Sequence, residues 1–446
     1  MRTNVAPQPP VTHEGGRAAC MPALAELERA VATCMLWEPT FYEPGHDIGA
    51  RIAALCDAVD IEDIGALAVT ARDDWKLRHV PLWLCVQMAR INSARKLGSD
   101  AVSQAIFHVV QRPDELGELL ALYWRDGKRP VPKQIKKGLA WAFTKFDEYQ
   151  LAKWDRGGSV KLRDVLFVCH AQPESEAQAL LWKRLVDGKM ETPDTWEVAL
   201  SAGADKRQAW ERLLQEERLP YMALLMNLRN MTEAQVDPSM VRAAIAAGAP
   251  GSRALPFRFL SAAKHAPAYA DVLSDAMCAA VSGTMDGETW VVVDVSGSMN
   301  DLISSKSELS RWEVAGALAA LVRQMAPACR VFTFSNTIVE VPNHRGLPLV
   351  QAVGASQSHQ GTYLQQALTT LRDKVGTPHR VIVVTDEQTH DGNLPAWSEL
   401  AYLVNVAPYA PGLSLDGGWH RVSGWSERVI DWICVSEDEN RRPEGR

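Results

Sequence analysis

One apolar run followed by a polar loop constrains the fold more than any other stretch of this sequence. Residues Trp290 to Val293 form a short, mostly β-branched run, which is typical of a buried parallel strand. The run stops at Asp294, and Ser296 and Ser298 follow in a D-x-S-x-S spacing. Ligands of open α/β sheets bind at the carboxyl ends of the strands. We therefore predict an α/β, doubly wound parallel sheet with a binding site at this loop.

The oxygen-bearing side chains of this loop suit a small hard cation such as Mg²⁺. Gly297 permits the tight turn that directs both serines inward. The alternative is that the serines only cap the helix that follows. Two later stretches favour the metal site. Gly361 and Thr362 precede a helical pattern, and residues 380–387 contain a second buried strand that ends in Asp386.

These positions together resemble the metal-ion-dependent adhesion site (MIDAS) of von Willebrand factor A domains. All five positions of that site are filled, by Asp294, Ser296, Ser298, Thr362 and Asp386. The resemblance implies a bound divalent cation, Mg²⁺ or another, and a von Willebrand factor A domain over residues 286–446. The sequence departs from the common family pattern twice. Gln360 replaces a glycine and Tyr363 replaces an acidic residue, but neither change removes a metal ligand.

The composition is that of an ordinary globular protein. The 446 residues predict two or more domains, with 47% hydrophobic and 23% charged residues. No apolar run approaches the ~18 residues of a transmembrane helix, and Met1 to Pro10 lacks the apolar core of a secretion signal. The 8 cysteines show no C-x-x-C pair. We therefore expect reduced thiols in a cytoplasmic protein rather than disulfides or a zinc site.

The net charge of −7 is unevenly distributed along the chain, and this distribution matters for nucleic acid binding. Residues 286–446 hold 13 Lys and Arg against 19 Asp and Glu, so most of the acidity lies there. Residues 125–163 hold 11 Lys and Arg but only 4 Asp and Glu. Such a local basic excess can bind phosphates despite the overall negative charge.

The sequence before residue 290 predicts helices and no convincing strand. Apolar residues recur at the 3–4 spacing of amphipathic helices, as from Leu24 to Met35, and the connectors are short. We predict an all-α array of HEAT-like helix pairs over residues 16–285, preceded by a flexible tail over residues 1–15. A non-repetitive helical bundle is the alternative, because the sequence has no strict period.

The basic segment alternates cationic and aromatic side chains. Lys133, Lys136 and Lys137 are spaced i, i+3 and i+4, so they share one face of a helix. Aromatic residues follow among further basic ones, namely Trp141, Phe143, Phe146, Tyr149 and Trp154. Bases can stack on aromatic rings while basic side chains hold phosphates. The alternative is a solvated charged face with the aromatic residues in the core.

Five stretches occur in a distinctive order, THEGG, FYEPG, SVKLRDVLFVCH, WEVALSAG and LPYMALLMNLRNM. Followed by the von Willebrand A-like part, this order resembles the TROVE domain of the Ro autoantigen and its bacterial relatives, over about residues 12–435. The resemblance implies a ring of HEAT-like repeats. It also implies binding of small non-coding, Y-RNA-like RNA on a basic outer surface and of single-stranded RNA ends in a central hole.

The same resemblance identifies candidate RNA-binding residues. Lys153 and His170 are the best matches, although a histidine packed in the core is the alternative for His170. Lys133 and Lys137 match basic positions of the family more loosely. Arg156 is only near the family position, which falls on Gly157.

Three functions compete. The first is an RNA-binding scaffold that passes single-stranded RNA to a nuclease or RNA-repair protein. The second is a protein-interaction scaffold whose metal accepts an Asp or Glu of a partner. The third is metal-assisted hydrolysis at Asp294 and Asp386. We disfavour hydrolysis, because His390 and Asp391 are the nearest candidate bases and are more simply loop residues. The sequence also lacks G-x-x-x-x-G-K-[ST] and H-E-x-x-H. We therefore expect a non-catalytic RNA-binding protein.

Overall fold

The structure is a computed structural model. It describes residues 10–34, 36, 45–155, 159–191, 195–201, 205–252, 254–281, 283–304, 307–392, 394, 397, 400–409, 412–415, 418–424, 429–430, 432–434 and 437. The chain divides into two compact units. The helical unit comprises Ala23–Val31 and Gly49–Ala202, and the mixed unit comprises Met1–Pro22, Ala32–Ile48 and Gly203–Arg446.

The described residues from 23 to 201 fold into helices. These are α1 (Ala23–Thr33), α2 (Gly45–Cys56), α3 (Ile61–Asp73), α4 (His79–Arg95), α5 (Ala101–Val109), α6 (Pro113–Tyr123), α7 (Lys133–Phe143), α8 (Glu148–Trp154), α9 (Leu162–Cys169), α10 (Glu176–Val186) and α11 (Trp196–Ser201). Helices one or two places apart pack together, as α3 does with α4 and α5, α5 with α7, and α7 with α9. Such near-neighbour packing is typical of a repeat-type helical array. The predicted all-α N-terminal part is confirmed.

The mixed unit contains further helices and one sheet. The helices are α12 (Lys206–Gln215), α13 (Tyr221–Glu233), α14 (Pro238–Gly248), α15 (Pro256–His265), α16 (Ala270–Ala279), α17 (Arg311–Met325), α18 (Gly346–Ala355) and α19 (Leu364–Val375). The strands are β1 (Thr289–Asp294), β2 (Cys329–Phe334), β3 (Ile338–Glu340), β4 (Arg380–Thr385), β5 (Leu400–Asn405) and β6 (Trp419–Ser423). Helices α15 and α16 pack on α17, so the last helices before the sheet belong to the same compact unit. The predicted boundary at residues 285 and 286 instead marks where helices give way to strands along the chain.

The sheet has the doubly wound topology that the sequence predicts. Its strand order is β3-β2-β1-β4-β5-β6, and every pairing except β2 with β3 is parallel. Val291 pairs with Val331 on one side and Ile382 on the other, and all three are buried. Because the chain leaves β1 toward β2 and later returns to β4 on the opposite side, the topological switch point lies between β1 and β4. Asp294 ends β1 and Asp386 directly follows β4.

Helix α17 shows how local sequence and burial act together. Ser310 caps its start, because the Glu313 backbone N–H donates to the Ser310 hydroxyl while the Glu313 carboxylate accepts from the Ser310 backbone N–H. The helix packs on β1, β2, α15 and α18, which explains why it is apolar on most sides. Sequence analysis did not single out α18 or the edge strand β6.

Residues 10–15 correct the prediction of a flexible tail over residues 1–15. Residues 1–9 lie outside the described part, but Thr12 is buried and its backbone N–H donates to the Gly16 carbonyl at 2.8 Å. All 8 cysteines are free thiols, as expected, and burial raises the pKa of Cys85 to about 12. None of the helices in the described residues combines the length and apolar character that crossing a membrane requires.

Candidate functional site

Three loops meet at the switch point between β1 and β4. The Gly297 backbone N–H donates to the Gln360 carbonyl at 2.8 Å, which joins the loop after β1 to the loop before α19. The His390 backbone N–H donates to the Thr362 carbonyl at 2.9 Å, which joins the loop before α19 to the loop after β4. The Thr385 hydroxyl donates to Asp294 Oδ2 at 2.6 Å and so joins the ends of the two strands. The three loops that carry the predicted metal ligands are therefore neighbours.

The five predicted ligands are all buried. Their exposed fractions are 0% for Asp294, 0% for Ser296, 4% for Ser298, 3% for Thr362 and 0% for Asp386. Asp294 Oδ1 accepts from the Ser296 backbone N–H at 2.8 Å, and the hydroxyls of Ser296 and Ser298 lie 3.4 Å apart. Gly297 has little room for a side chain, because an added Cβ would lie 3.3 Å from the Gln360 carbonyl oxygen. The serines therefore face the site rather than capping a long helix, since only a short 3₁₀ turn follows at Gly297–Asn300.

The two aspartates make this site strongly acidic. Burial first, and then repulsion from Asp386, raises the pKa of Asp294 to about 7 from its usual 3.8. Hydrogen bonds from Ser296 and Thr385 oppose this rise without cancelling it. A cation between the carboxylates would offset the desolvation of Asp294 and its repulsion from Asp386, because its positive charge would stabilise both carboxylates.

The donor set fits a hard divalent cation. Two carboxylates and three hydroxyls supply only oxygen, which Mg²⁺ prefers, and the set contains no thiolate or imidazole of the kind that selects zinc. Within the described part of the chain, no group of three or more His, Cys, Asp or Glu side chains forms another such centre. The residues present therefore fit the predicted metal, and occupancy stays a prediction.

Buried charged residues that sequence analysis missed surround these loops. Arg311 is 1% exposed, pairs with Asp301 at 3.2 Å and donates to the Tyr409 hydroxyl at 2.5 Å. Glu387, next to Asp386, is fully buried and accepts two bonds of 3.0 Å from the Arg421 guanidinium. Tyr409 lies 98 residues from Arg311, and Arg421 lies 34 residues from Glu387, so no local pattern indicated these two contacts. These contacts stabilise the loops that carry the predicted metal ligands.

The N-terminal segment of residues 12–16, the THEGG stretch, packs directly on the loop after β4. The Thr12 hydroxyl donates to the Thr389 carbonyl at 2.8 Å, and the Gly16 backbone N–H donates to the same carbonyl at 3.1 Å. The Glu14 carboxylate lies 2.9 Å from Nε2 of His390. The function of this stretch is thus partly structural, because it braces the loop that carries Asp386.

We expect the Gly16→Ala substitution to lower the melting temperature of the protein clearly. A Cβ at Gly16 would lie 2.3 Å from the Thr389 carbonyl oxygen and 2.7 Å from that of Asp391, so backbone must move. Overpacking of this kind costs about 1–3 kcal/mol. Thermal unfolding followed by circular dichroism measures the effect.

The matched control for this prediction is Gly65→Ala inside α3. There the added Cβ meets only the end of the flexible Met88 side chain, at 3.0 Å, and alanine favours the helix. Stability should stay the same or rise slightly. Equal losses in the two variants would show that residues 12–16 do not brace the loop.

His390 and Asp391 have structural partners, which argues against a catalytic base at this site. His390 Nε2 faces Glu14, Nδ1 lies 3.3 Å from the Thr362 backbone nitrogen, and the ring stacks on Tyr363 at 5.0 Å. Asp391 Oδ2 accepts from the Gln366 backbone N–H at 2.8 Å, at the start of α19. Tyr363 therefore lies beside the rim of the site, as its place after Thr362 suggested.

Helix α7 carries two of the predicted RNA-binding residues. Lys133 is exposed at its first turn, while Lys137 is half-buried, pairs with Asp100 at 3.1 Å and lies over the Trp141 ring at 4.6 Å. Trp141 is 41% exposed, whereas Phe143 and Phe146 are 0% and 4% exposed, so the alternative of aromatic residues in the core holds for those two and not for Trp141. A cation over an accessible indole can give a base a stacking surface and a phosphate a partner.

The remaining predicted RNA-binding residues lie on neighbouring elements. His170 ends α9, which packs on α7, and it is exposed in a left-handed conformation with φ 53°. This exposure excludes the alternative of a histidine packed in the core. Lys153 lies on α8 between Tyr149 and Trp154, whose rings are 5.9 and 5.7 Å from its Nζ atom. Arg156 lies outside the described residues.

Not every cation of the basic segment is available to a ligand. Lys145 Nζ donates to the carbonyls of Phe107 and Val110 at the end of α5. Burial lowers the pKa of Lys145 to about 8. This lysine caps a helix, and its role could not be separated from those of its neighbours in the sequence.

Comparisons with known proteins found similarities in sequence and in structure. Residues 182–273 match the TROVE domain family. Telomerase protein component 1 of Mus musculus is 35% identical over 79 residues, which cover 17% of this chain and 3% of that protein. The Rattus norvegicus protein is 34% identical over 79 residues with the same coverage. The chain therefore matches only 3% of the length of these curated relatives.

A further similarity is structural. The crystal structure of the Deinococcus radiodurans Ro (Rsr) protein aligns with a TM-score of 0.57 and 19% sequence identity, and the alignment covers 93% of this chain and 100% of that one. At this identity the likeness shows a shared fold. The agreement extends over both the helical part and the sheet part of the chain.

Proposed function

Since this chain matches the TROVE domain family in residues 182–273 and has the fold of an Ro protein, we propose that it is a non-catalytic RNA-binding scaffold. It binds structured small RNA through exposed basic and aromatic residues of α7, α8 and the end of α9. The observation that carries this proposal is the pairing of cations with accessible rings, above all Lys137 with Trp141 and Lys153 with Tyr149. Tyr149 is 49% exposed.

The metal-site residues add a second element to the proposal. We infer that Mg²⁺ binds between Asp294 and Asp386 with the three hydroxyls as further ligands. The bound cation would supply an open coordination position for an acidic side chain of a protein partner, such as a nuclease or an RNA-repair protein. His390 and Asp391 already have structural partners, which supports a binding role rather than hydrolysis at this site.

The RNA proposal predicts that the Lys133→Ala/Lys137→Ala/Lys153→Ala variant binds structured RNA more weakly. Loss of three phosphate contacts should lower affinity by about 10- to 1,000-fold at low salt and reduce the slope of log K against log salt by roughly 0.9 per lost contact. Filter binding or fluorescence anisotropy with a hairpin RNA that carries a single-stranded 3′ tail, over a salt series, measures both quantities.

A charge-matched control removes three cations from α12 in the mixed unit, as Lys206→Ala/Arg207→Ala/Arg212→Ala. These side chains are exposed and lie outside the predicted surface, so affinity should change little. Equal losses in the two triple variants would show only a general charge effect and would reject the assigned surface. If the wild-type protein bound no RNA at low salt, the RNA function would be rejected and the metal-dependent protein scaffold would stand alone.

A further inference from the structure

A wide pocket lies among four helices of the mixed unit, namely α15, α16, α17 and α18. These helices pack as two pairs, α15 with α16 and α17 with α18, and each helix of one pair contacts the other pair. The volume of the pocket is about 870 Å³, within the range of roughly 300–1,000 Å³ in which proteins bind drug-sized ligands. Among the described residues that line it, none belongs to the metal loops or to α7, α8 and α9. The pocket is therefore separate from both sites proposed above.

The wall of this pocket is mostly apolar. Leu260 of α15 and Leu347 of α18 contribute to it and are buried. Trp312 of α17 adds a half-buried indole, whose ring packs edge-on against His359 with 5.7 Å between the ring centroids. Aliphatic side chains beside one positioned indole suit a ligand with a large apolar or aromatic body.

Of the five charged side chains described in the lining, three already have partners within the protein. Lys264 Nζ lies 2.7 Å from the Glu313 carboxylate, so these two lining residues pair with each other. The Asp271 carboxylate accepts a hydrogen bond of 2.7 Å from the Arg242 guanidinium. The charges of these three lining residues are therefore compensated before any ligand enters.

Asp275 and Arg345 are the other two charged residues of the lining. Both are exposed, and neither forms an ion pair or a side-chain hydrogen bond with any residue that the structure describes. They lie on segments in contact, because the Leu347 backbone N–H donates to the hydroxyl of Ser274, the residue before Asp275, at 3.0 Å. Both charges also act on one thiol, since burial and then Asp275 raise the pKa of Cys278 while Arg345 lowers it. Two opposite charges therefore lie on the same side of the pocket.

We propose that this pocket binds a zwitterionic small molecule with the head group of an α-amino acid and a large apolar body, such as an aromatic amino acid. The ammonium group of the ligand pairs with Asp275, and its carboxylate accepts two parallel hydrogen bonds from the Arg345 guanidinium. The apolar body lies against Trp312. A zwitterion is favoured over a singly charged ligand, because it compensates both side chains at once. The inference rests on neither the RNA function nor the metal site.

The test is isothermal titration calorimetry of the full-length protein with L-tryptophan. Asp275→Asn and Arg345→Gln should each weaken binding about 10- to 100-fold, the usual range for a lost hydrogen bond to a charged group. Arg345→Lys should fall between the wild type and Arg345→Gln, because lysine keeps the charge but not the planar fork. The matched controls are Asp373→Asn and Lys374→Gln on α19, which remove exposed charges outside the pocket and should leave the affinity unchanged.

A series of related ligands tests each charge separately. Tryptamine keeps the ammonium group without the carboxylate, indole-3-propionate keeps the carboxylate without the ammonium group, and N-acetyl-tryptophanamide has neither charge. All three should bind the wild type more weakly than L-tryptophan does. Tryptamine should bind Arg345→Gln at least as well as the wild type, because it makes no favourable contact with Arg345. Indole-3-propionate should likewise bind Asp275→Asn at least as well as the wild type.

Ala279→Phe is a second kind of variant, which fills the pocket without removing a charge. Ala279 lines the pocket and is exposed near the end of α16, so the larger side chain should block the ligand while the fold is kept. Thermal unfolding checks the fold, and L-tryptophan binding should be lost.

Three outcomes would overturn the proposal. Wild-type affinity for L-tryptophan in Ala279→Phe and in both charge variants would place the ligand elsewhere. Equal affinity of the wild type for N-acetyl-tryptophanamide and L-tryptophan would show that the head-group charges do not contribute. Absence of binding with millimolar L-tryptophan, L-phenylalanine and L-leucine would reject this class of ligand.

Discussion

The Asp294→Asn substitution is expected to abolish stabilisation of the protein by Mg²⁺ and, in the absence of metal, to make the protein more stable at about pH 8. The two effects have opposite signs because one buried carboxylate causes both. In the wild type it is a metal ligand when Mg²⁺ is present and an uncompensated charge beside Asp386 when Mg²⁺ is absent. Asparagine removes the charge but keeps a similar shape and can still bond with Thr385 and Ser296.

The pH dependence follows from the raised pKa of Asp294. In the unfolded chain this group titrates near 3.8, whereas burial and Asp386 raise its pKa to about 7 in the folded protein. Between these values the folded state binds more protons than the unfolded state, so metal-free wild type loses stability as the pH rises toward 7 and then levels off. Each pKa unit corresponds to about 1.4 kcal/mol, so the loss is on the order of a few kcal/mol. The stability of the metal-free Asp294→Asn variant should not decrease with pH in this way, because asparagine does not titrate.

Urea unfolding with and without millimolar Mg²⁺, over a pH series, measures both effects. The control is Glu340→Gln on β3, an exposed carboxylate that pairs with Arg330 at 2.7 Å away from the metal loops. This control should leave the Mg²⁺ response unchanged. If Mg²⁺ stabilised Asp294→Asn as strongly as the wild type, the cation would bind elsewhere and the assigned ligand set would be wrong.

The position of the candidate metal site was predictable because each part of it is encoded locally. A β-branched run such as Trp290 to Val293 indicates a buried strand, and the polar residues directly after it must lie at the strand's carboxyl end. The same argument places Asp386 after β4. Parallel pairing then brings the two aspartates together, because β1 and β4 are neighbours. No long-range information beyond strand order was needed.

The supports of the site were not predictable, because they join residues far apart in the sequence. Thr12 and Thr389 are separated by 377 positions, and nothing around either residue indicates the other. The sequence therefore suggested a flexible tail where the structure has a brace. Strand β6 was missed for a related reason. It is an edge strand whose side chains are mostly only partly buried, so it lacks the continuous apolar run that marks β1 and β4.

Burial of charge in the helical unit was the second feature hidden from sequence analysis. Glu115 looks like an ordinary acidic residue in the first turn of α6, where a carboxylate favours the helix dipole. The structure buries it completely, and its Oε1 accepts from Arg72 at 2.7 Å. Its Oε2 accepts from the backbone N–H groups of Gln111 at 2.8 Å and Arg112 at 3.0 Å. One side chain thus caps α6 and joins it to α3.

We accordingly expect Glu115→Ala to destabilise the helical unit by about 3–5 kcal/mol, the usual cost of removing one partner of a buried ion pair. The loss is large because Arg72, only 9% exposed, keeps its charge without a carboxylate, and two backbone N–H groups lose their acceptor. Hydrogen exchange of the amides in α3 and α6, together with urea unfolding, measures the effect and locates it. Glu148→Ala is the control, because its pair with Arg184 lies at the surface with side chains 38% and 42% exposed and should contribute at most about 1 kcal/mol. A loss for Glu115→Ala no greater than that of the control would mean that water reaches Arg72 and compensates its charge.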